Sequence, residues 1–474
     1  MLATSLALDA AARPRVARPR RLQGIALHLL VMTAVFGLCL AGSGNPPVAG
    51  ILASGLMALF TVASNAKYKM LGEPLVFSDL ALIVSIVRHP GFYFTAVSKR
   101  QRWMMGAGAS TSFAILVLLF STRLEPHLLG CAMSLAAGAA LSLLLRSRWL
   151  DSIAQNPNLA SDLAQYGMIA TLLLYWWRWQ HTADPAPCPK LAVHSDATAA
   201  AAPELIVIVQ CESFADPVEI IGDPRLALQG LTRARAAAWQ HGELAVSGFG
   251  AYTMRTEFGV LFGRSEAALG FRRYDPFLSA HGETSYALSA RLAAVGYGST
   301  FVHPHDLRFY ARDRLMPAIG FDRVIGKEAF APVPPGSGRY VDDRTLGATL
   351  ADLAAATTGP TLLYAVTMEN HGPWDADRIP GFGGGFDAYL QHLRNSDTML
   401  TELIARIASD GRPALLVFFG DHRPAIPGVS MPETTRHTPY VMMRFAAGGR
   451  PIDGPGQVNL TPAGLHHAVL RCVA

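Results

Sequence analysis

Apolar positions fall into two regimes along this chain. In the first 180 residues they form long runs, at 24–41, 47–63, 103–120, 126–145 and 161–177. A helix crossing a bilayer needs about 20 such residues, so these runs predict about five membrane-spanning helices. The fifth is the weakest, because Asp162 and Gln165 stand near its start. From residue 204 the runs shorten to strand length, at 205–209, 299–303, 361–368, 414–419 and 440–445. Stretches of helical period separate several of them, for example 387–407. Strands alternating with helices predict a mostly parallel central sheet covered on both faces. The expected architecture is an α-helical membrane anchor followed by an α/β domain.

Polar composition marks the boundaries. Residues 1–22 carry Arg13, Arg15, Arg18, Arg20 and Arg21 and are expected to form a cytoplasmic tail. Residues 23–180 form the membrane region, in which 71–97, broken by Gly72, Pro74, Asp79 and Pro90, reads as helices at the interface. Residues 181–202 hold Pro185, Pro187 and Pro189 and read as a linker to a domain at 203–474. Positive charge recurs on one side of the expected spans: the tail, then Lys67, Lys69, Lys99, Arg100 and Arg102, then Arg146 and Arg148. Positive loops stay in the cytoplasm, so five crossings leave the carboxyl-terminal domain outside it. Tyr175, Trp176, Trp177 and Trp179 would mark the exit from the membrane. A net charge of +5 distributed this way fits membrane orientation and argues against a nucleic-acid partner. The five cysteines lack zinc-motif spacing, and a Cys188–Cys472 disulfide stays open.

The chemistry lies where strands are expected to end. The run 414–419 stops at Gly420, and Asp421 and His422 follow. The run 205–209 leads to Glu212 and Ser213. In open α/β sheets the ligand crevice lies beyond the carboxyl ends of the strands. Two carboxylates and an imidazole there suit a divalent cation. Ser247 to Phe258 is a Gly-rich turn entering a helix, with Thr253 near the helix start. Thr253 is either a cap or a nucleophile activated by the metal, with Thr256 and Ser247 as rivals. The segment His303 to Asp313 is dense in donors, including Tyr310 and Arg312, which suits a phosphorylated polyol. His371 follows another strand end and is either a general acid or a structural histidine.

The ordered set Glu-Ser, Gly-x-x-Thr-x-x-x-Glu-Phe, His-x6-Tyr-x-Arg-Asp, Asn-His and Gly-Asp-His resembles the lipoteichoic acid synthase-like phosphoglycerol transferases, of the alkaline phosphatase and sulfatase superfamily. The resemblance runs from Glu204 to Pro424. It implies an alkaline-phosphatase/sulfatase-like domain and one divalent metal, Mn²⁺ or else Mg²⁺, held by Glu212, Thr253, Asp421 and His422. It implies Thr253 as nucleophile and His303, Tyr310, Arg312 and His371 as headgroup ligands. Tyr310 and Tyr252 stand where the synthases carry Trp and Lys. The implied activity moves phosphoglycerol from phosphatidylglycerol to a polysaccharide, glucan or polyglycerol-phosphate acceptor at a bacterial inner membrane. A phosphoethanolamine transferase of the same superfamily is the nearer rival, and a catalytically silent membrane sensor the more distant one. No Cys/Ser-x-Pro-x-Arg signature surrounds Thr253, which argues against sulfate ester hydrolysis.

Overall fold

The computed structural model describes residues 1–15, 19–80, 99–191, 202–334, 338–374, 379, 382–432 and 435–473. The chain forms two compact units, Met1–Thr182 and Ala183–Ala474.

The first unit is helical. Among the described residues, Leu22–Ser43, Pro46–Leu71 and Leu124–Leu145 are long and apolar enough to cross a membrane. They contain the first, second and fourth expected spans. The third expected span lies in the helix Lys99–Leu118, whose basic first turn lowers its apolarity. The fifth is not one continuous helix. It breaks at Gly167 (φ 84°) into Leu159–Tyr166 and Met168–Gln180. At 1.5 Å per residue, the latter is roughly 20 Å long, short of a bilayer core of roughly 30 Å. The break falls at a close contact: a Cβ at residue 167 would collide with the Asp9 carboxylate and the Arg20 guanidinium. Asp9 in turn belongs to a helix, Leu2–Ala10, inside the segment expected to be a polar tail. Its buried carboxylate pairs with Arg20 and accepts the Ile169 N–H at 3.2 Å. Most of the expected interfacial helices, at 81–97, lie outside the described residues.

The second unit is built on one eight-stranded sheet in the order β4-β3-β5-β1-β6-β7-β2-β8. The strands are β1 Leu205–Cys211, β2 Gln240–Ala245, β3 Gly298–Val302, β4 Arg323–Ile325, β5 Thr361–Val366, β6 Ala414–Gly420, β7 His437–Phe445 and β8 Gly456–Gln457. All five expected runs are strands. The neighbours β4, β3, β5, β1 and β6 are parallel, and β7 runs antiparallel between β6 and β2. Every residue of β1, β5 and β6 is buried, as expected of strands with helices on both faces. Leu205, Val207 and Val209 join the core formed with helices Gln229–Ala236, Asp343–Ala355 and Gly385–Asp410. The alternate residues Ile206 and Ile208 are equally buried on the opposite face. Cys188 and Cys472 are free thiols. Residues 192–201 of the expected linker lie outside the described residues, whereas Asp184, before them, pairs with Arg272 at 2.9 Å.

Candidate metal centre and headgroup site

Four neighbouring parallel strands, β3, β5, β1 and β6, deliver the candidate residues from their carboxyl ends. Register does the first part of the work. Cys211 of β1 pairs with Gly420 of β6, so Glu212 and Asp421 emerge side by side. Ser213, at φ 49°, turns the chain back across the gap. Its N–H donates to Asp421 Oδ1 at 2.7 Å, and its hydroxyl donates to Glu212 Oε1 at 3.0 Å. The His422 N–H also donates to Asp421 Oδ1, at 2.8 Å. Asp421 Oδ2 is left buried with no hydrogen-bond partner.

Thr253 arrives from the other side. Gly250 (φ 62°) and Tyr252 (φ 76°) make a tight left-handed turn that starts the helix Thr253–Phe262. Thr253 Oγ1 then lies 3.3 Å from Glu212 Oε2 and 3.4 Å from His422 Nε2. The rival Thr256 is occupied elsewhere, its hydroxyl donating to the Asp421 carbonyl at 2.7 Å. His422 Nδ1 faces the Arg423 carbonyl at 3.0 Å, so it carries the proton and leaves Nε2 as the lone pair. One ligand atom each from Glu212, Asp421 and His422 lies within 4.8 Å of the others.

These donors fit a divalent cation. The set is carboxylate, carboxylate, imidazole and hydroxyl, all buried, and Asp421 Oδ2 makes no hydrogen bond, with His422 Nε2 3.6 Å away. Without the cation, a proton on His422 does its work. Burial opposes that proton, but Asp421 and Glu212 carry His422 up to about 9. Burial would raise Glu212 too, yet the hydrogen bond and charge of His422 bring it down to about 2. Burial and the Glu212 charge push Asp421 up to about 7. A second carboxylate–histidine group, Glu219, Glu243 and His437, is more exposed and is engaged by the Arg423 guanidinium. Arg423 Nη2 lies 3.1 Å from Glu219 and 2.9 Å from His437.

Beside the metal site sits the donor-rich segment. His303, next after β3, keeps Nδ1 at 2.9 Å from the Val366 carbonyl. Burial and the neighbouring Arg312 charge hold its pKa well below the ordinary value, so it stays neutral. Arg312 lies under the Tyr310 ring, 5.1 Å from its centroid, with Nη1 3.4 Å from His303 Nε2. His371 follows β5, and its charge helps hold the Glu212 carboxyl down. Its ring meets Tyr340 edge-on at 5.9 Å, and Tyr340 meets His305 at 5.8 Å. The structure thus places all eight candidate residues beyond the carboxyl ends of β3, β5, β1 and β6. Sequence reasoning gave no role to Ser213, Glu257 or His305, although each stands in a segment it singled out. The part of Glu257 emerges only through Arg312, which it binds across 55 positions.

Behind His371, the segment Glu369-Asn370 is tied into the core. The Asp343 N–H donates to Glu369 Oε2 at 2.7 Å, and Asn395 donates to Oε1 at 2.6 Å. The Asn370 amide donates to Ser396 Oγ at 2.9 Å.

The sulfatase family model matches residues 204–464, more than half of the chain. The protein belongs to the sulfatase family. As such it falls in the alkaline phosphatase superfamily, in agreement with the expected fold. The capsular polysaccharide biosynthesis protein RkpI of Rhizobium meliloti (strain 1021) is 28% identical to this sulfatase-family chain over 484 residues, covering 97% of it and 88% of RkpI. From the same organism, the "Putative cyclic beta-1,2-glucan modification protein" is 26% identical over 233 residues, 47% of this chain and 36% of that protein. Among solved structures, the integral membrane lipooligosaccharide phosphoethanolamine transferase A (EptA) from Neisseria meningitidis matches with a TM-score of 0.55 at 13% identity. The match covers 94% of this chain and 95% of EptA, and it is a likeness of fold. This family member is a membrane protein with an amino-terminal helical unit and an α/β sulfatase-like domain.

Proposed function

We propose that the protein is a metal-dependent phosphoglycerol transferase of the bacterial inner membrane, with its α/β domain facing away from the cytoplasm. The observation that carries this reading is the Thr253 hydroxyl, 3.3 Å from Glu212 and 3.4 Å from His422, beside the buried Asp421 Oδ2, which makes no hydrogen bond. Glu212, Asp421, His422 and Thr253 would hold one divalent metal, Mn²⁺ or Mg²⁺, which supplies the positive charge that favours loss of the Thr253 proton and offsets charge on the phosphoryl group.

The Thr253 proton passes to solvent, Oγ1 bonds to the phosphorus of phosphatidylglycerol, and the bond from phosphorus to the diacylglycerol oxygen breaks. That oxygen takes a proton from His371 and leaves as diacylglycerol. Phosphoglycerol stays esterified to Thr253, with Arg312 facing a phosphoryl oxygen and His303 beside it as a headgroup residue. An acceptor hydroxyl, its proton returning to His371, then attacks the same phosphorus and frees Thr253, which takes back a proton from solvent. The relative RkpI, named for capsular polysaccharide biosynthesis, supports a cell-envelope polysaccharide as that acceptor.

The headgroup wall favours glycerol over ethanolamine. An ammonium group needs an uncompensated carboxylate, but Glu257 is bound to Arg312 and Asp306 to Arg308. Full-length protein in vesicles containing phosphatidylglycerol or phosphatidylethanolamine tests this choice. Diacylglycerol is expected from phosphatidylglycerol, about tenfold or more faster, which corresponds to ~1.4 kcal/mol at the transition state. Faster release from phosphatidylethanolamine would replace this reading with the activity that EptA's name describes.

A further inference from the structure

Glu257 lies one helical turn after Thr253, on the same face of the same helix. It is wholly buried, yet it does not face the metal ligands. Its Oε1 accepts from Arg312 Nε at 3.0 Å and its Oε2 accepts from Arg312 Nη2 at 2.5 Å. This side-on, two-point contact fixes the plane of the guanidinium. Arg312 is itself only 1% exposed, and the Tyr310 ring packs on its face. The remaining nitrogen, Nη1, is turned toward His303 Nε2. The nucleophile and the guanidinium are thereby joined through one turn of helix and one ion pair.

We propose that Glu257 is a positioning residue that orients Arg312 toward the transferred phosphoryl group and sets its distance from Thr253. The proposal rests on the reading of Arg312 as a phosphoryl-binding group. Glu257 touches no substrate in this account; it acts through Arg312 alone. A merely structural Glu257 would neutralise a buried arginine, and its loss would damage the fold and the metal centre together.

A double-mutant cycle separates these roles, using the full-length protein with Mn²⁺. The proteins are wild type, Glu257→Gln, Arg312→Gln, the charge-neutral double variant, and Glu257→Asp. Three quantities are read for each: kcat and KM for diacylglycerol release from phosphatidylglycerol vesicles, calorimetric affinity for glycerol phosphate, and bound metal per chain. Each single Gln variant is expected to lose about 100-fold in kcat/KM, the size of effect seen when one oriented donor to a reacting oxyanion is removed. The double variant should lose no more than Arg312→Gln alone, and Glu257→Asp should recover part of the loss. Bound metal should stay at the wild-type level throughout. Losses that multiply in the double variant would overturn the proposal. So would wild-type kinetics and affinity in Glu257→Gln, or metal content that falls in step with activity. If wild type itself releases no diacylglycerol, the functional reading fails, while the glycerol phosphate affinities still decide the role of Glu257.

Discussion

Asp421 shows how much a single carboxylate is made to do. One oxygen is held by two backbone N–H groups, while the other is buried without a hydrogen bond and turned toward His422. Asp421→Asn keeps the shape and replaces one oxygen by an amide that cannot ligate a cation. The expected result is metal content falling from one per chain toward zero, read by elemental analysis of the purified protein. Unchanged metal content would remove Asp421 from the site. Glu369 makes a different prediction. Burial, then the nearby Asp343 charge, push its carboxyl up to about 8 from 4.5. Between those values the folded protein binds more protons than the unfolded chain, so stability falls as pH rises through that window. Glu369→Gln mimics the protonated form and should flatten the melting temperature between pH 5 and 8. Parallel wild-type and variant curves would refute this. Residues at strand ends, such as Glu212, Asp421 and His422, could be read from the sequence because an apolar run points to each. Glu257 and Glu369 could not, since their roles come from partners with no periodic relation to them.

Elements differ in the same way. The fully buried strands β1, β5 and β6 are continuous apolar runs and declare themselves. β2, with Gln240, His241 and Glu243, alternates buried and half-exposed positions and has no such run. It is a strand because β7 pairs with it, a tertiary cause that no local pattern contains. The fifth expected span is divided at a residue whose setting is equally non-local. Gly167 looks like any small residue in an apolar stretch, yet a Cβ there would meet Asp9 and Arg20, far away in the chain. At Gly420 the element constrains the site directly. A Cβ there would run into the Phe214 carbonyl, and Gly420 immediately precedes Asp421. Gly420→Ala should therefore cost about 1–3 kcal/mol in stability and weaken metal affinity, checked by thermal unfolding and metal titration. A variant with wild-type stability and affinity would contradict the close packing of β6 on that carbonyl.

At the scale of the whole molecule, the account joins a helical membrane unit to a phosphoryl-transfer site. With a lipid donor, as proposed, that pairing would tether enzyme and substrate to the same membrane. The proposed orientation, with the α/β domain outside the cytoplasm, can be tested at Arg225, a well-exposed reporter on that domain. An Arg225→Cys variant should react with a membrane-impermeant thiol reagent in intact spheroplasts, above the background of the parent protein. Labelling only after lysis would reverse the orientation. The central claim is the covalent step at Thr253. Its most direct test is peptide mass spectrometry after incubating the full-length protein with phosphatidylglycerol and Mn²⁺, with Thr253→Ala as the comparison. The account predicts a phosphoglycerol adduct on the wild-type peptide containing Thr253, and none in the variant. A Thr253→Ala protein that still releases diacylglycerol at the wild-type rate would contradict it.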